Sequence, residues 1–365
     1  MQTHIDLFAG GATGFALGMS QAGFRTLAAV ERDANGVATY RANNPATPVI
    51  HADIREVRDR DLVRLLPRDG HVCRPADLLT AGFPCETWSS ARNRPAAPDD
   101  PRRTLYREVV RLAEAVQARC ILLENVPRIT SAETFPGSGR LVADDIRSAL
   151  RKAGYGSQIE AVLDAADVGA ATRRRRWFLL ASLDPRLELW APTLTTAGRP
   201  RTVRDALAGL PLDPCDSPEA SDCVPSWHVA PRIRAATFAR YSLVRPGRRV
   251  WDLVPKGDER AVAGLQAAGV LPRNPYRQRG LRLRWDRPAP TMTAHIGEEW
   301  VHPAAHRNLT PRECLRIMGY PDTHDLRGPL RTPHGGVQNV YAMVGDSVCP
   351  AVATAWGLVV KEILS

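Results

Sequence analysis

The chain of 365 residues is predicted to fold as an α/β protein: a mostly parallel, doubly wound sheet with a second, smaller irregular domain. Three observations lead there. Over the first 180 residues, short apolar runs alternate with amphipathic stretches, the pattern of strand and crossover helix. Residues 183–290 are instead rich in Pro, Gly and Arg, with few periodic runs. The last 60 residues become periodic again. The length is natural for two domains, and 44% apolar with 24% charged residues excludes a disordered chain.

In chain order, strands are expected at His4–Phe8, Thr26–Val30, Val49–His51, Leu78–Ala81, Cys120–Leu123, Ser157–Leu163 and Trp177–Ser182. Runs this apolar suit a sheet covered on both faces. Helical periodicity covers Leu105–Ala118, Leu141–Ala153, Thr310–Met318 and Val348–Leu364. Thr310-Pro311-Arg312-Glu313 supplies an N-cap, a proline at the first helical position and a glutamate three residues after the cap. No apolar run approaches 18 residues, so no membrane span is expected. The first six residues show neither a basic stretch nor an apolar signal core, which predicts a cytoplasmic protein. The seven cysteines are scattered singly with no C-x-x-C pair, against a disulfide scaffold and against a metal site.

Net charge is +10, and the pI is near 9.6. Only Lys152, Lys256 and Lys361 are lysines, so arginine carries the charge. Residues 173–290 hold 22 Arg and Lys against 11 Asp and Glu, while the rest of the chain is close to neutral. An excess confined to one segment predicts an anionic partner such as nucleic acid. The competing reading is a solvated arginine-rich surface.

Ile5-Asp6-Leu7-Phe8 runs into Ala9-Gly10-Gly11-Ala12-Thr13-Gly14, a turn whose glycines let backbone approach a ligand. Glu31 ends the second strand, where a carboxylate can accept from ribose hydroxyls. Asp53 and Ile54 follow the third, placed to read and stack an adenine. The glycine spacing is not that of a dinucleotide site, and Asp6 could meet an ammonium group. Together these favour S-adenosylmethionine. Strand four ends in Gly82-Phe83-Pro84-Cys85 and opens a long polar stretch, Glu86–Arg103. Strand five ends in Glu124-Asn125-Val126, where partial burial should raise the carboxyl pKa. A thiol and a protonatable carboxyl at neighbouring strand ends, beside a methyl donor, predict attack on an electron-poor ring.

In order and spacing, Asp6-Leu7-Phe8-Ala9-Gly10, Gly82-Phe83-Pro84-Cys85 and Glu124-Asn125-Val126 resemble the motifs of the cytosine-C5 DNA methyltransferases. Arg102-Arg103-Thr104-Leu105, Arg174-Arg175-Arg176, Arg284–Thr291, His306–Glu313, Gly319–Asp322 and Gly345-Asp346-Ser347-Val348 extend the resemblance. It implies a Rossmann-like methyltransferase fold, with residues 1–182 as catalytic and cofactor-binding domain. Residues 183–281 would be the target recognition domain, and 282–365 would return to the catalytic domain. The implied catalytic residues are Cys85, Glu124, Arg174 and Arg176, the arginines binding the flipped nucleotide and its phosphate. The implied S-adenosylmethionine site takes Asp6, Phe8, Ala9, Gly10, Gly11 and Gly14 from the first turn. Glu31, Arg32, Asp53 and Ile54 would join it from the next strand ends. Gly82, Pro84 and Leu105, with Asp346, Ser347 and Val348, would complete it. The chain departs from the family in Ala12 and Thr13, in Thr172 in place of a glutamine, and in Asp346 in place of an asparagine.

The expected reaction is methylation of C5 of a flipped-out cytosine in a specific duplex DNA sequence, through a covalent Cys85–C6 bond. The protein would act as a monomer on DNA, with a cognate restriction endonuclease as a further candidate partner. The alternatives are a tRNA cytosine-C5 methyltransferase on the same fold and a non-catalytic DNA-binding regulator derived from it.

Overall fold

The computed structural model describes residues 1–84, 100–217, 225–254, 258–271, 280–294, 299–330 and 339–365. Its frame is one seven-stranded sheet: β1 Thr3–Leu7, β2 Arg25–Glu31, β3 Val49–His51, β4 Leu78–Ala81, β5 Cys120–Asn125, β6 Ser157–Asp164 and β7 Arg175–Ser182. All seven strands fall where the apolar runs place them. Their spatial order is β3-β2-β1-β4-β5-β7-β6. The first five are parallel, whereas β7 runs antiparallel to both β5 and β6. The reason is the short link between Asp164 and Arg175, which carries only the 3-10 turn Ala165–Val168 and cannot make a crossover.

Alternation along each strand divides the interior into two cores. On β5, Ile121 and Leu123 join one core, while Cys120 and Leu122 join the other. The first core is closed by the helices Tyr106–Val116 and Val142–Lys152, each within two residues of its expected bounds at either end. The second core is closed by Gly14–Gln21 and by the helices of the chain's end. Those are Pro311–Met318, Val340–Asp346 and Pro350–Ile363. The Thr310 capping box forms as read: Thr310 Oγ1 accepts from Glu313 N at 3.1 Å, and Glu313 Oε2 accepts from Thr310 N at 2.8 Å.

The stretch Val340–Ile363 is 24 residues long and apolar enough by composition to span a membrane. It is two helices separated at Ser347–Cys349, and most of it is buried as the wall of the second core.

The helix Val203–Leu207, with Leu187, Leu189 and Trp227, also packs into that second core. Beyond it lies a small separate cluster built from Tyr241, Val244, Val250, Leu271 and Val301. The segment with a core of its own therefore begins near Ile233, later than the change in composition at residue 183. Of the arginine clusters in this segment, Arg273, Arg277 and Arg279 lie outside the described residues.

Candidate active site

Ligands of open α/β sheets lie beyond the carboxyl ends of the strands, at the point where strand order reverses. Here that point lies between β1 and β4. A cleft opens there, and its walls include Phe8–Gly11, Gly14, Glu31, Arg32, Asp53, Ile54, Gly82, Pro84, Leu105, Glu124, Arg174, Arg176 and Asp346–Val348. Residues from eight separated stretches of sequence thus share one wall.

The turn after β1 is conformationally demanding. Phe8 and Thr13 both have φ of 56°, a left-handed conformation that side chains rarely adopt. Gly10 and Gly14 answer different needs. Gly10 stands at φ 71°. At Gly14, a Cβ would lie 1.9 Å from Val348 O and 2.7 Å from Ser347 Oγ. This close approach brings Ser347 and Val348 into the cleft beside the first turn. Thr13, the N-cap of the helix Gly14–Gln21, makes no capping bond, and buried Asp6 accepts from the Ala16 backbone in the first turn, while Gly14 and Phe15 line the cleft.

Glu31 is held from both sides. Its Oε2 accepts from Gly10 N at 2.8 Å and its Oε1 from Asp33 N at 2.7 Å. Burial raises its pKa despite these bonds. Asp53 caps the turn Ile54–Glu56 and takes two donors from the Arg55 side chain, which hold its pKa down to about 2.

Glu124 emerges from β5 fully enclosed. Burial raises its pKa, and the charges of Arg176 and Arg174 act against the rise. Arg176 Nε lies 3.1 Å from Glu124 Oε1. Asn125, which the motif reading did not single out, links this strand end to the turn before Cys85. Its Nδ2 donates to Phe83 O at 3.1 Å. Cys85 itself lies outside the described residues; it is bonded to Pro84, which forms part of the cleft wall.

Two predicted residues stand differently. Asp6 is fully buried and absent from the wall. Its Oδ1 accepts from Thr80 Oγ1 at 3.0 Å, and burial lifts its pKa to about 7. It therefore does not reach a ligand in the cleft. Arg174 reaches the cleft but is buried, and its Nη1 donates to Met292 O and Gly345 O, both at 2.8 Å. It braces the C-terminal segment against β7 rather than presenting a free guanidinium to phosphate. Phe15, Val30, Ala52, Phe83 and Val126 also line the cleft. Phe83 and Val126 lie within the quoted motifs without having been named as site residues, and Phe15, Val30 and Ala52 only adjoin predicted ones.

A family model of the C-5 cytosine-specific DNA methylases matches residues 2–203 and 253–362. The chain belongs to that family. Among curated relatives, the Type II methyltransferase M.DdeI of Desulfomicrobium norvegicum is 28% identical over 96% of this chain and 86% of its own. The Type II methyltransferase M.AgeI of Thalassovita gelatinovora is 25% identical over 99% of both chains. Among solved structures, a putative DNA modification methyltransferase encoded within an E. coli prophage superposes with a TM-score of 0.75. It is 22% identical and covers 100% of this chain and 99% of its own. The Dnmt2 methyltransferase of S. pombe superposes at 0.60 with 17% identity, covering 100% of both chains. These two structures share the fold. The methylase thus belongs to a family of enzymes whose substrate is DNA.

In the methylase, the departures from the family pattern lie close to the cleft. Thr172 Oγ1 donates to Pro290 O at 2.8 Å, tying the strand before Arg174 to the segment after Arg284–Arg287. Asp346 is exposed on the cleft wall, which Arg32 also lines.

Proposed function

We propose that the methylase transfers a methyl group from S-adenosylmethionine to C5 of a cytosine flipped out of a specific duplex sequence, with Cys85 as nucleophile. The observation that carries this reading is the convergence of Glu31, the start of the helix Gly14–Gln21 and the Arg176–Glu124 pair on one cleft at the turn leading to Cys85. The residues fit the cofactor. Glu31 keeps acceptor capacity for ribose hydroxyls beyond its two backbone bonds. The helix N-terminus suits a carboxylate. Gly82 leaves open the space between Glu124 and the Phe15–Val348 wall, where a Cβ would sit 3.5 Å from Glu124 Oε2. When bound, S-adenosylmethionine supplies an electrophilic methyl group.

The rest follows from the chain's own groups. Cys85, as thiolate, adds to C6 of the flipped base. Glu124, its pKa raised by burial, delivers a proton to N3 and so neutralises the charge developing on the ring. Arg176 fixes the orientation of that carboxyl through its 3.1 Å contact. After methyl transfer a water molecule takes the C5 proton, the C5–C6 double bond re-forms as the Cys85 thiolate departs, and Glu124 takes back the N3 proton. The methylase acts as a monomer on its duplex, inside the cell, and pairs with an endonuclease of the same site.

Fluorine at C5 cannot leave as a proton. Duplex DNA carrying 5-fluorocytosine at the target, with S-adenosylmethionine, should therefore trap a denaturation-resistant adduct. Cys85→Ser should abolish it, while Glu124→Gln should slow turnover by roughly 10²–10⁴. An adduct that survives Cys85→Ser would overturn the mechanism.

A further inference from the structure

Residues 225–251 contain six arginines and no acidic residue. Within them lies the eight-residue helix Ala235–Ser242, with Tyr241 turned into the small core. The rest of its surface is exposed and unusual. Ala235, Ala236, Phe238 and Ala239 are open to solvent, and Phe238 is 53% exposed. Arg234 precedes the helix, and Arg245, Arg248 and Arg249 follow it, all exposed. An apolar, small-residue helix face with an aromatic at its centre, flanked along the chain by arginines, is poorly suited to face water. It suits the major groove, where alanine and phenylalanine pack on base edges and thymine methyl groups while arginines reach phosphates.

The mount of this helix is rigid. Arg282 is buried, and its guanidinium donates to Tyr241 O and Val244 O, satisfying carbonyls at the helix's end. The same group donates to His302 O and Ala305 O and meets His306 Nδ1 at 2.9 Å. The His306 ring in turn packs edge-on against Phe238, with centroids 5.3 Å apart. Tyr241 is further tied to Asn308, whose amide donates to Trp300 O. Trp300 follows Thr293 by seven residues, at most about 25 Å of chain. Thr293 abuts Gly345 beside the cleft, where a Cβ on Gly345 would lie 2.1 Å from Thr293 O. The helix is thus fastened to the segment His302–Asn308.

We propose that the helix Ala235–Ser242 is the element that reads the target sequence, with Phe238 as a specificity-determining residue against a base edge in the major groove of duplex DNA. The inference rests on the function proposed above. Phe238 supplies discrimination, and the flanking arginines supply affinity without sequence preference.

The test is methylation of a randomised duplex library by wild type, Phe238→Ala and the double variant Arg248→Ala/Arg249→Ala, followed by bisulfite sequencing. Thermal stability of each chain is measured beside it. Phe238 is half exposed and packs edge-on against His306, so its removal should lower stability only slightly. Phe238→Ala should still methylate cytosine but lose roughly tenfold preference at one or two base pairs of the target. The double arginine variant should keep the wild-type target and show a salt dependence shallower by about one to two counterions. An unchanged target in Phe238→Ala would overturn the proposal. So would a folded Phe238→Ala chain that methylates nothing, because that places the residue in catalysis. Wild type that leaves every duplex unmethylated would instead overturn the proposed function, and this inference with it.

Discussion

Single residues in this methylase do work that their type alone does not announce. Three arginines show it. Arg174, Arg282 and Arg312 are all buried, and each uses its guanidinium to collect backbone carbonyls from irregular segments. Arg312, for example, donates to Ser226 O, Pro321 O and His324 O. Part of the arginine excess is therefore internal fastening rather than an electrostatic footprint. Asp6 makes the same point with the opposite charge. Ile5 and Leu7 face one core, so the period of two sends Asp6 to the other side, beneath the first helix. In the middle of a covered sheet that side is dry. Burial raises its pKa from 3.8 to about 7, and the nearby Glu31 adds to the rise. Between those values the folded chain holds a proton that the unfolded chain has released. The stabilisation is complete at acid pH and is lost as pH rises toward 7. Asp6→Asn removes this titration. Its stability relative to wild type should climb by about 1.4 kcal/mol per pH unit between pH 4 and 7 in urea melts. A difference that stays constant with pH would show that Asp6 is ionised in the fold. Buried His4, with its pKa lowered to about 3 by desolvation, weakens wild type from the acid side, and the comparison of the two chains cancels it.

At the scale of elements, the first helix and the last one behave as a unit. A Cβ on Gly18 would lie 2.4 Å from Ala353 Cβ and 2.7 Å from Pro350 O. A Cβ on Gly357 would lie 2.6 Å from Ala22 Cβ. Glycine on each helix lets the other's backbone come close, and that approach carries Ser347 and Val348 to the first turn. Gly18→Ala should destabilise the methylase by about 1–3 kcal/mol, since overpacking forces backbone shifts. It should also weaken S-adenosylmethionine binding in calorimetry, although residue 18 is outside the cleft. Unchanged affinity would mean that the 347–348 turn is positioned independently of this packing. The strands and the long helices were legible from period and capping signals such as Thr310–Glu313. The antiparallel β7 was not, because strand direction follows from the length of the preceding link rather than from the strand's own residues.

The whole molecule is built around a core to which distant stretches of the chain return. Residues 12–24, 163–207 and 283–364 share the second core. A chain cut after Ser182 would expose much of one face of the sheet, so it should be insoluble rather than a soluble enzyme without sequence preference. Expression and sedimentation would show this directly; a soluble monomer with native melting would contradict it. Long-range charge belongs to this scale as well. With the buried arginines set aside, the exposed ones of residues 232–249 remain to meet phosphate. If six to ten phosphates are contacted, affinity for duplex DNA should fall by about 10³–10⁵ between 50 and 200 mM salt. A flat dependence would mean that the excess serves only solubility and internal fastening.

The sequence by itself determined the order of the strands along the chain, the motif residues at their carboxyl ends and the family they belong to. These are local matters: alternation, glycine at turns, a proline and a glutamate at a helix start. Only the tertiary structure decided which carboxyl faces the cleft and which is sealed beneath it, since Asp6 and Glu31 sit at similar strand positions but meet different surroundings. It also decided that Arg174 is a brace while Arg176 holds Glu124, and that Phe238 stands exposed on a stiff mount. The physical reason is the same in each case. Charge and aromatic type are written in the sequence, but solvent access and partners arise from contacts between segments far apart along the chain, and those exist only once the sheet, its two cores and the returning C-terminal helices have closed on one another.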